Sequence, residues 1–134
     1  MLLIEHRLVT LVGTGGAGKT RLAAQVAAEV AEAHPDGVWW VELGSIADGT
    51  LVPSTTLAAL GIHYDRGLDP MDRLTGYLAE RRCLVVLDNC EHLLDATAAM
   101  ADRILRACPQ VTVMATSREP LAIPGEVGWR VPPL

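Results

Sequence analysis

The chain has 134 residues, half of them hydrophobic, with 11 basic against 16 acidic side chains and a formal charge of −5. That composition describes one globular unit, read here as residues 1–134, with enough apolar material for a single core. It excludes an unstructured tail, a membrane span of about 20 apolar residues, and a basic nucleic-acid surface, since Arg81-Arg82 is the largest cationic cluster.

The N-terminus, Met1 to Arg7, lacks the basic region and long apolar stretch of a signal peptide, so a cytoplasmic location is expected. Leu8-Val9-Thr10-Leu11-Val12 is β-prone and apolar throughout, as a buried parallel strand should be. It runs into Gly13-Thr14-Gly15-Gly16-Ala17-Gly18-Lys19-Thr20, which fits the phosphate-binding pattern G-x-x-x-x-G-K-[ST]. After it, Leu22, Ala23, Val26, Ala27 and Val30 recur at helical spacing, predicting a helix from about Gly18 to Ala33 that stops at His34-Pro35-Asp36-Gly37. Strand, glycine loop and helix together make an anion site: glycines let several N–H groups face one concavity, and the helix adds its positive end. Lys19, the only lysine in the chain, can reach the β- and γ-phosphates, and the Thr20 hydroxyl can ligate Mg²⁺.

Val38-Trp39-Trp40-Val41-Glu42-Leu43 reads as the second strand, with the two tryptophans on opposite, helix-covered faces. A loop from Gly44 to Gly49 leads to a short helix with Pro53 in its first turn, Leu57 and Leu60 inward and Gly61 as its stop. Beyond a loop at 63–68, Asp69-Pro70 supplies an N-cap and first-turn proline for a helix burying Met71, Leu74 and Leu78. Cys83-Leu84-Val85-Val86-Leu87-Asp88 is the third strand, and a helix from about Glu91 to Ala107 is expected to bury Leu94, Ala98, Ala101 and Leu105. Val111 to Ala115 is a fourth strand delivering Thr116-Ser117-Arg118, and Val127 to Val131 a fifth. The three cysteines, Cys83, Cys90 and Cys108, form no C-x-x-C pair and read as buried thiols; the four histidines show no metal spacing and read as surface or cap residues.

Strands alternating with helices make a parallel sheet covered on both faces, whose ligands sit beyond the carboxyl ends of the strands. The glycine loop, Asp88 and Thr116 to Arg118 all fall at that edge. Asp88, after four apolar residues, has the place of a Mg²⁺-holding aspartate. The position after it, where a water-activating carboxylate often stands, is Asn89, and an amide cannot take a proton. Glu91, with His92 behind it, is the nearest substitute, so hydrolysis is expected to be slow or partner-dependent, and Asn89→Asp to raise turnover. Arg118 is placed to sense a γ-phosphate. The candidate catalytic set is therefore Lys19, Asp88, Asn89, Glu91 and Arg118; the cofactor-binding set is Gly13 to Thr20 with Arg21; and the metal ligands are Thr20 and Asp88.

The segments from Thr10 to Ala23, Leu87-Asp88-Asn89-Cys90-Glu91-His92-Leu93-Leu94, Ala115 to Leu121 and Val131 to Leu134 resemble the ATPase domain of large SARP-type and LuxR-type bacterial transcriptional regulators. Those domains belong to the STAND class of signalling NTPases, related to NB-ARC domains. The resemblance runs almost end to end. It implies an α/β fold of the P-loop NTPase type, a three-layer sandwich around a parallel five-stranded sheet of order 5-1-4-3-2. It also implies an ATP/ADP switch with Mg²⁺, coupled to self-association or to other domains of a larger regulator, and places Lys19, Thr20 and Asp88 at phosphate and metal and Arg118 as sensor. The helical lid, the winged-helix segment and the upstream Gly-Arg-Glu segment of such relatives have no counterpart here, although Arg7 lies close to where the last would end. Two other classes compete: a small-molecule or nucleoside kinase, which usually carries an arginine-bearing lid and an acceptor pocket, and a hydrolysis-dead assembly module, against which Lys19, Thr20 and Asp88 argue.

Overall fold

The computed structural model describes residues 2–15, 18–63 and 67–133. Gly16 and Ala17 of the glycine loop, residues 64–66 of the second loop and Leu134 lie outside the described residues. In chain order the elements are α1 (Leu2–Glu5), β1 (Leu8–Val12), α2 (Lys19–Glu29), β2 (Val38–Glu42), α3 (Val52–Ala59), α4 (Pro70–Leu78), β3 (Leu84–Asp88), α5 (Leu94–Ala107), β4 (Thr112–Ser117) and β5 (Glu126–Arg130). Short 3₁₀ turns at Ala31–Ala33 and Gly49–Leu51 end α2 and lead into α3.

The strands form one sheet in the order β2-β3-β4-β1-β5, every pair parallel, which is the expected 5-1-4-3-2 order read from the other edge. Handedness decides which face each helix covers. The connection from β1 to β2 crosses the sheet in one direction and those from β2 to β3 and β3 to β4 in the other. Right-handed crossovers therefore send α2 to one face and α3, α4 and α5 to the opposite one. The side chains confirm it with a period of two. Val85, Leu87, Val113 and Ala115 join the cluster under α3–α5, whereas Leu84, Val86 and Met114 join Ala23 and Ala27 of α2 and Val30 at its end. Burial on both faces is why β1, β3 and β4 read as continuous apolar runs.

Trp39 and Trp40 pack on opposite faces as expected, but β2 is an edge strand and both are only half-buried. Asp69 caps α4 by accepting the Met71 N–H at 3.4 Å, and Met71, Leu74 and Leu78 are buried. Helix α5 departs from expectation. It begins at Leu94, three residues late, because Leu93 N–H closes a turn onto Cys90 O at 2.9 Å. Its buried side is Thr97, Met100, Ala101 and Ile104, while Leu94, Ala98 and Leu105 are half-buried. Arg103 pairs with Asp69 at 3.8 Å and with Asp72, tying α5 to α4. Helix α1 had no periodic signal in so short a segment. His34 is a cap residue, but a buried one, its Nδ1 bonded to Val30 O at 2.9 Å.

Candidate functional site

Four strand tips build the site. β1 hands the chain to the glycine loop, whose first N–H, on Gly13, donates to Ser117 O at the tip of β4 at 3.1 Å. Gly18 then turns with φ 80°, a left-handed conformation that suits glycine, and α2 starts at Lys19 with no side chain capping its N-terminus. The first amides of α2 are thus left facing the loop.

Lys19 is 7% exposed, and its Nζ donates to Gly13 O at 2.8 Å and Thr14 O at 3.1 Å. Among the described residues no carboxylate pairs with it. A sequestered ammonium held only by neutral carbonyls carries an uncompensated desolvation cost, which an arriving anion would offset. Thr20, the next residue, donates to Asp88, its Oγ1 standing 3.0 Å and 3.1 Å from the two carboxylate oxygens. Asp88 is 1% exposed at the tip of β3 and also accepts the Thr116 hydroxyl at 2.5 Å. Thr116 in turn accepts the Asn89 N–H at 2.9 Å, so the β4 tip locks the aspartate in place.

The residues present fit a magnesium ion. A buried carboxylate that accepts from the Thr20 and Thr116 hydroxyls and the Asn89 amide offers hard oxygen ligands, beside the Thr20 hydroxyl oxygen. No cluster of three or more His, Cys, Asp or Glu occurs among the described residues. Mg²⁺ commonly takes one or two protein oxygens and completes its shell with phosphate and water.

In front of this assembly lies an open cavity of about 830 Å³. Lys19, Thr20, Asn89, Glu91, His92 and Arg118 all line it, together with Gly15 and Gly18. Arg118 reaches over the loop: a Cβ on Gly15 would stand 2.9 Å from its Nη2, so the guanidinium lies close against the glycine. His92 donates Nε2–H to Ile46 O at 2.9 Å, pinning the 44–46 loop to the 90–93 turn. Cys90, packed behind Asp88, is held neutral: burial, then the charges of Glu91 and Asp88, push its thiol up to about 12. Arg21 is elsewhere. It lines a separate cavity of about 330 Å³ between the first turn of α2 and Val131, Pro132 and Pro133. Arg7 lies at the opposite edge of the sheet, where its guanidinium donates to Leu105 O, Cys108 O and Val111 O at 2.9, 2.5 and 3.2 Å.

Sequence reasoning passed over Glu42. It ends β2 in register with Asp88, lines the large cavity, and accepts from Asn89 Nδ2 at 3.3 Å and 3.1 Å through its two oxygens. The signal was present: Val41-Glu42 closes an apolar strand with a carboxylate, as Leu87-Asp88 does.

Sheet order and a glycine loop feeding a helix from the strand beside the centre define the P-loop NTPase class of fold. Within that class the chain belongs to the NB-ARC family, the NB-ARC domain matching residues 2–122. It is 50% identical over 131 residues to the "Putative HTH-type transcriptional regulator Rv0890c" of Mycobacterium tuberculosis, covering 98% of this chain and 15% of that protein. It is 32% identical over 116 residues to "Regulatory protein AfsR" of Streptomyces griseus, covering 81% of this chain and 11% of the relative. The chain therefore spans a small part of these curated relatives. Among solved structures, the Signal Transduction ATPase with Numerous Domains (STAND) protein with a tetratricopeptide repeat sensor from Pyrococcus horikoshii superposes with a TM-score of 0.65 at 15% identity, over 94% of this chain and 21% of that one. At that identity the likeness is one of fold. Among the described residues no helix is long and apolar enough to cross a membrane.

Proposed function

We propose that the chain is the ATP/ADP-binding switch core of a bacterial transcriptional regulator, acting in the cytoplasm with slow or partner-dependent hydrolysis. The observation that carries this reading is Lys19: a buried ammonium at an uncapped helix N-terminus, held by two carbonyls, facing a cavity of about 830 Å³. In this reading Lys19 and the first amides of α2 bind the β- and γ-phosphates. Thr20 and Asp88 hold Mg²⁺, which neutralises charge across the phosphate oxygens. Arg118 approaches the γ-phosphate from the β4 side and makes the site sensitive to its presence. Arg21 and the 131–133 segment flank the base and ribose. Nucleotide state would then bias contacts with other domains of the longer protein, or with a second copy, and DNA contact would belong to another domain. The names of the regulators among its relatives support the switch; the cavity supports the ligand.

Calorimetry with ATP, ADP and GTP, with and without Mg²⁺, tests the reading. Lys19→Ala is expected to weaken ATP binding by about a hundredfold or more, because a buried charge-assisted contact to phosphate is lost. Equal affinity in the variant would remove the site.

A further inference from the structure

We propose that Glu42 is the carboxylate that orients the water attacking the γ-phosphate and takes its proton, and that Asn89 is its positioning residue. This rests on the nucleotide reading of the same cavity. Glu42 stands one strand over from the metal-side aspartate, Cα to Cα in register with Asp88, so both carboxylates reach the ligand edge side by side. It lines the cavity with Lys19, Thr20 and Arg118.

Its carboxylate is held from two directions. Asn89 Nδ2 donates to it at 3.3 Å and 3.1 Å, and the Gly44 N–H closes onto Oε1. A Cβ on Gly44 would lie 2.6 Å from that oxygen and 3.2 Å from Asn89 Cβ, so glycine lets the loop close onto the carboxylate without displacing it. The same Asn89 nitrogen stands 3.4 Å from Asp88 Oδ2. An amide nitrogen has two hydrogens, and here it faces one carboxylate on each side. Asn89 is thus a neutral bridge between Asp88 and Glu42, and its backbone, at φ 60°, is bent to serve that position. Glu91 shares the cavity wall, but among the described residues no hydrogen bond holds its carboxylate. The pairing also reverses the expectation for Asn89→Asp, which would set three carboxylates together and remove the donor that orients Glu42.

In the step itself, the water oxygen bonds to the γ-phosphorus while the bond from that phosphorus to the β–γ bridging oxygen breaks. The bridging oxygen leaves on ADP with the bonding pair. The water's proton passes to Glu42 and from there to the departing inorganic phosphate.

The test compares the wild-type protein with Glu42→Gln, Glu42→Asp, Glu91→Gln and Asn89→Asp. Three quantities are measured: ATP affinity by calorimetry, turnover at saturating ATP, and the nucleotide retained after incubation with ATP and desalting. Glu42→Gln is expected to keep ATP affinity within about threefold, lose at least about tenfold in kcat, and retain ATP where the wild type retains ADP. Glu42→Asp, which keeps a carboxylate at shorter reach, should recover part of the rate. Glu91→Gln, at the competing carboxylate on the same wall, should lower kcat less than Glu42→Gln does, and Asn89→Asp should lower it. Unchanged kcat and retained ADP in Glu42→Gln would overturn the proposal, as would ATP binding by the wild type without any turnover. A wild type that binds no ATP would overturn the nucleotide reading beneath it. Should Glu42→Gln misfold, Glu42→Asp decides: a kcat equal to that of the wild type rejects Glu42.

Discussion

Asn89 and Ala122 are the two non-glycine residues with left-handed backbone among the described ones, at φ 60° and 61°, and they are so for different reasons. Asparagine tolerates this region, and at 89 it aims a side chain between two carboxylates. Alanine brings no such use. Its conformation is imposed by Glu126, whose carboxylate gathers the Leu121 and Ala122 N–H groups at 2.7 Å and 3.0 Å while accepting the Thr10 hydroxyl at 2.6 Å. Ala122→Gly should relieve the strain at some cost in unfolded-chain entropy, for a net gain of up to about 1 kcal/mol in urea unfolding. A loss of stability would mean that the Ala122 methyl packs better than its exposed position suggests. At the site, the polar residue types were readable one by one, but their pairing was not. Asn89 looked like a missing base, and only its contact with Glu42 shows what it holds.

At the scale of elements, α5 shows where periodicity runs out. Leu94, Ala96, Ala98, Ala99, Met100, Ala101, Ile104 and Leu105 wrap most of the helix in apolar side chains, so a stripe one residue out of phase fits the sequence as well as the true one. The turn at 90–93 sets the start of the helix, and the sheet chooses the face with Thr97, Met100, Ala101 and Ile104. The far end of α5 is closed from outside. Arg7 places a fixed cation on the carbonyls of Leu105 and Cys108 and on Val111, satisfying the last turn and opposing its negative dipole end. Because Arg7 is partly exposed, solvent screening keeps the effect modest. Arg7→Ala is expected to cost about 1–2 kcal/mol in denaturant unfolding without changing nucleotide affinity, since it lies at the edge of the sheet opposite the cavity. A change in affinity with unchanged stability would place Arg7 in the site after all.

For the whole molecule, the buried thiols set a limit on stability at high pH. Burial, reinforced by Asp36, raises the Cys83 thiol from its ordinary 9.0 to about 11, and burial with Glu91 and Asp88 raises Cys90 to about 12. A thiol whose folded value lies above its unfolded one stays protonated in the native state while the unfolded chain ionises. Its contribution is therefore complete below about pH 9 and is lost as pH rises toward about 11 to 12. Urea midpoints should fall across that window, and the fall should be shallower in Cys90→Ala than in the wild type, whatever the variant loses in absolute stability. Parallel slopes in the two proteins would show that Cys90 is not the group responsible.

The linear chain by itself determined the alternation of elements, the glycine loop ahead of a helix and the strand-tip aspartate, because each is written in adjacent residues and short-range periodicity. The near end-to-end resemblance added the sheet order. Tertiary structure alone decided which side chains meet at the strand tips, and so brought Glu42 against Asn89 across 47 positions of sequence, Thr116 against Asp88 across 28, and Arg118 over Gly15. It also sent Arg7 away from the ligand edge and Arg21 into a neighbouring cavity. The physical reason is the same throughout. Crossover handedness and two-sided burial fix which face of each strand is covered, and the strand register sets which polar side chains meet along the carboxyl edge.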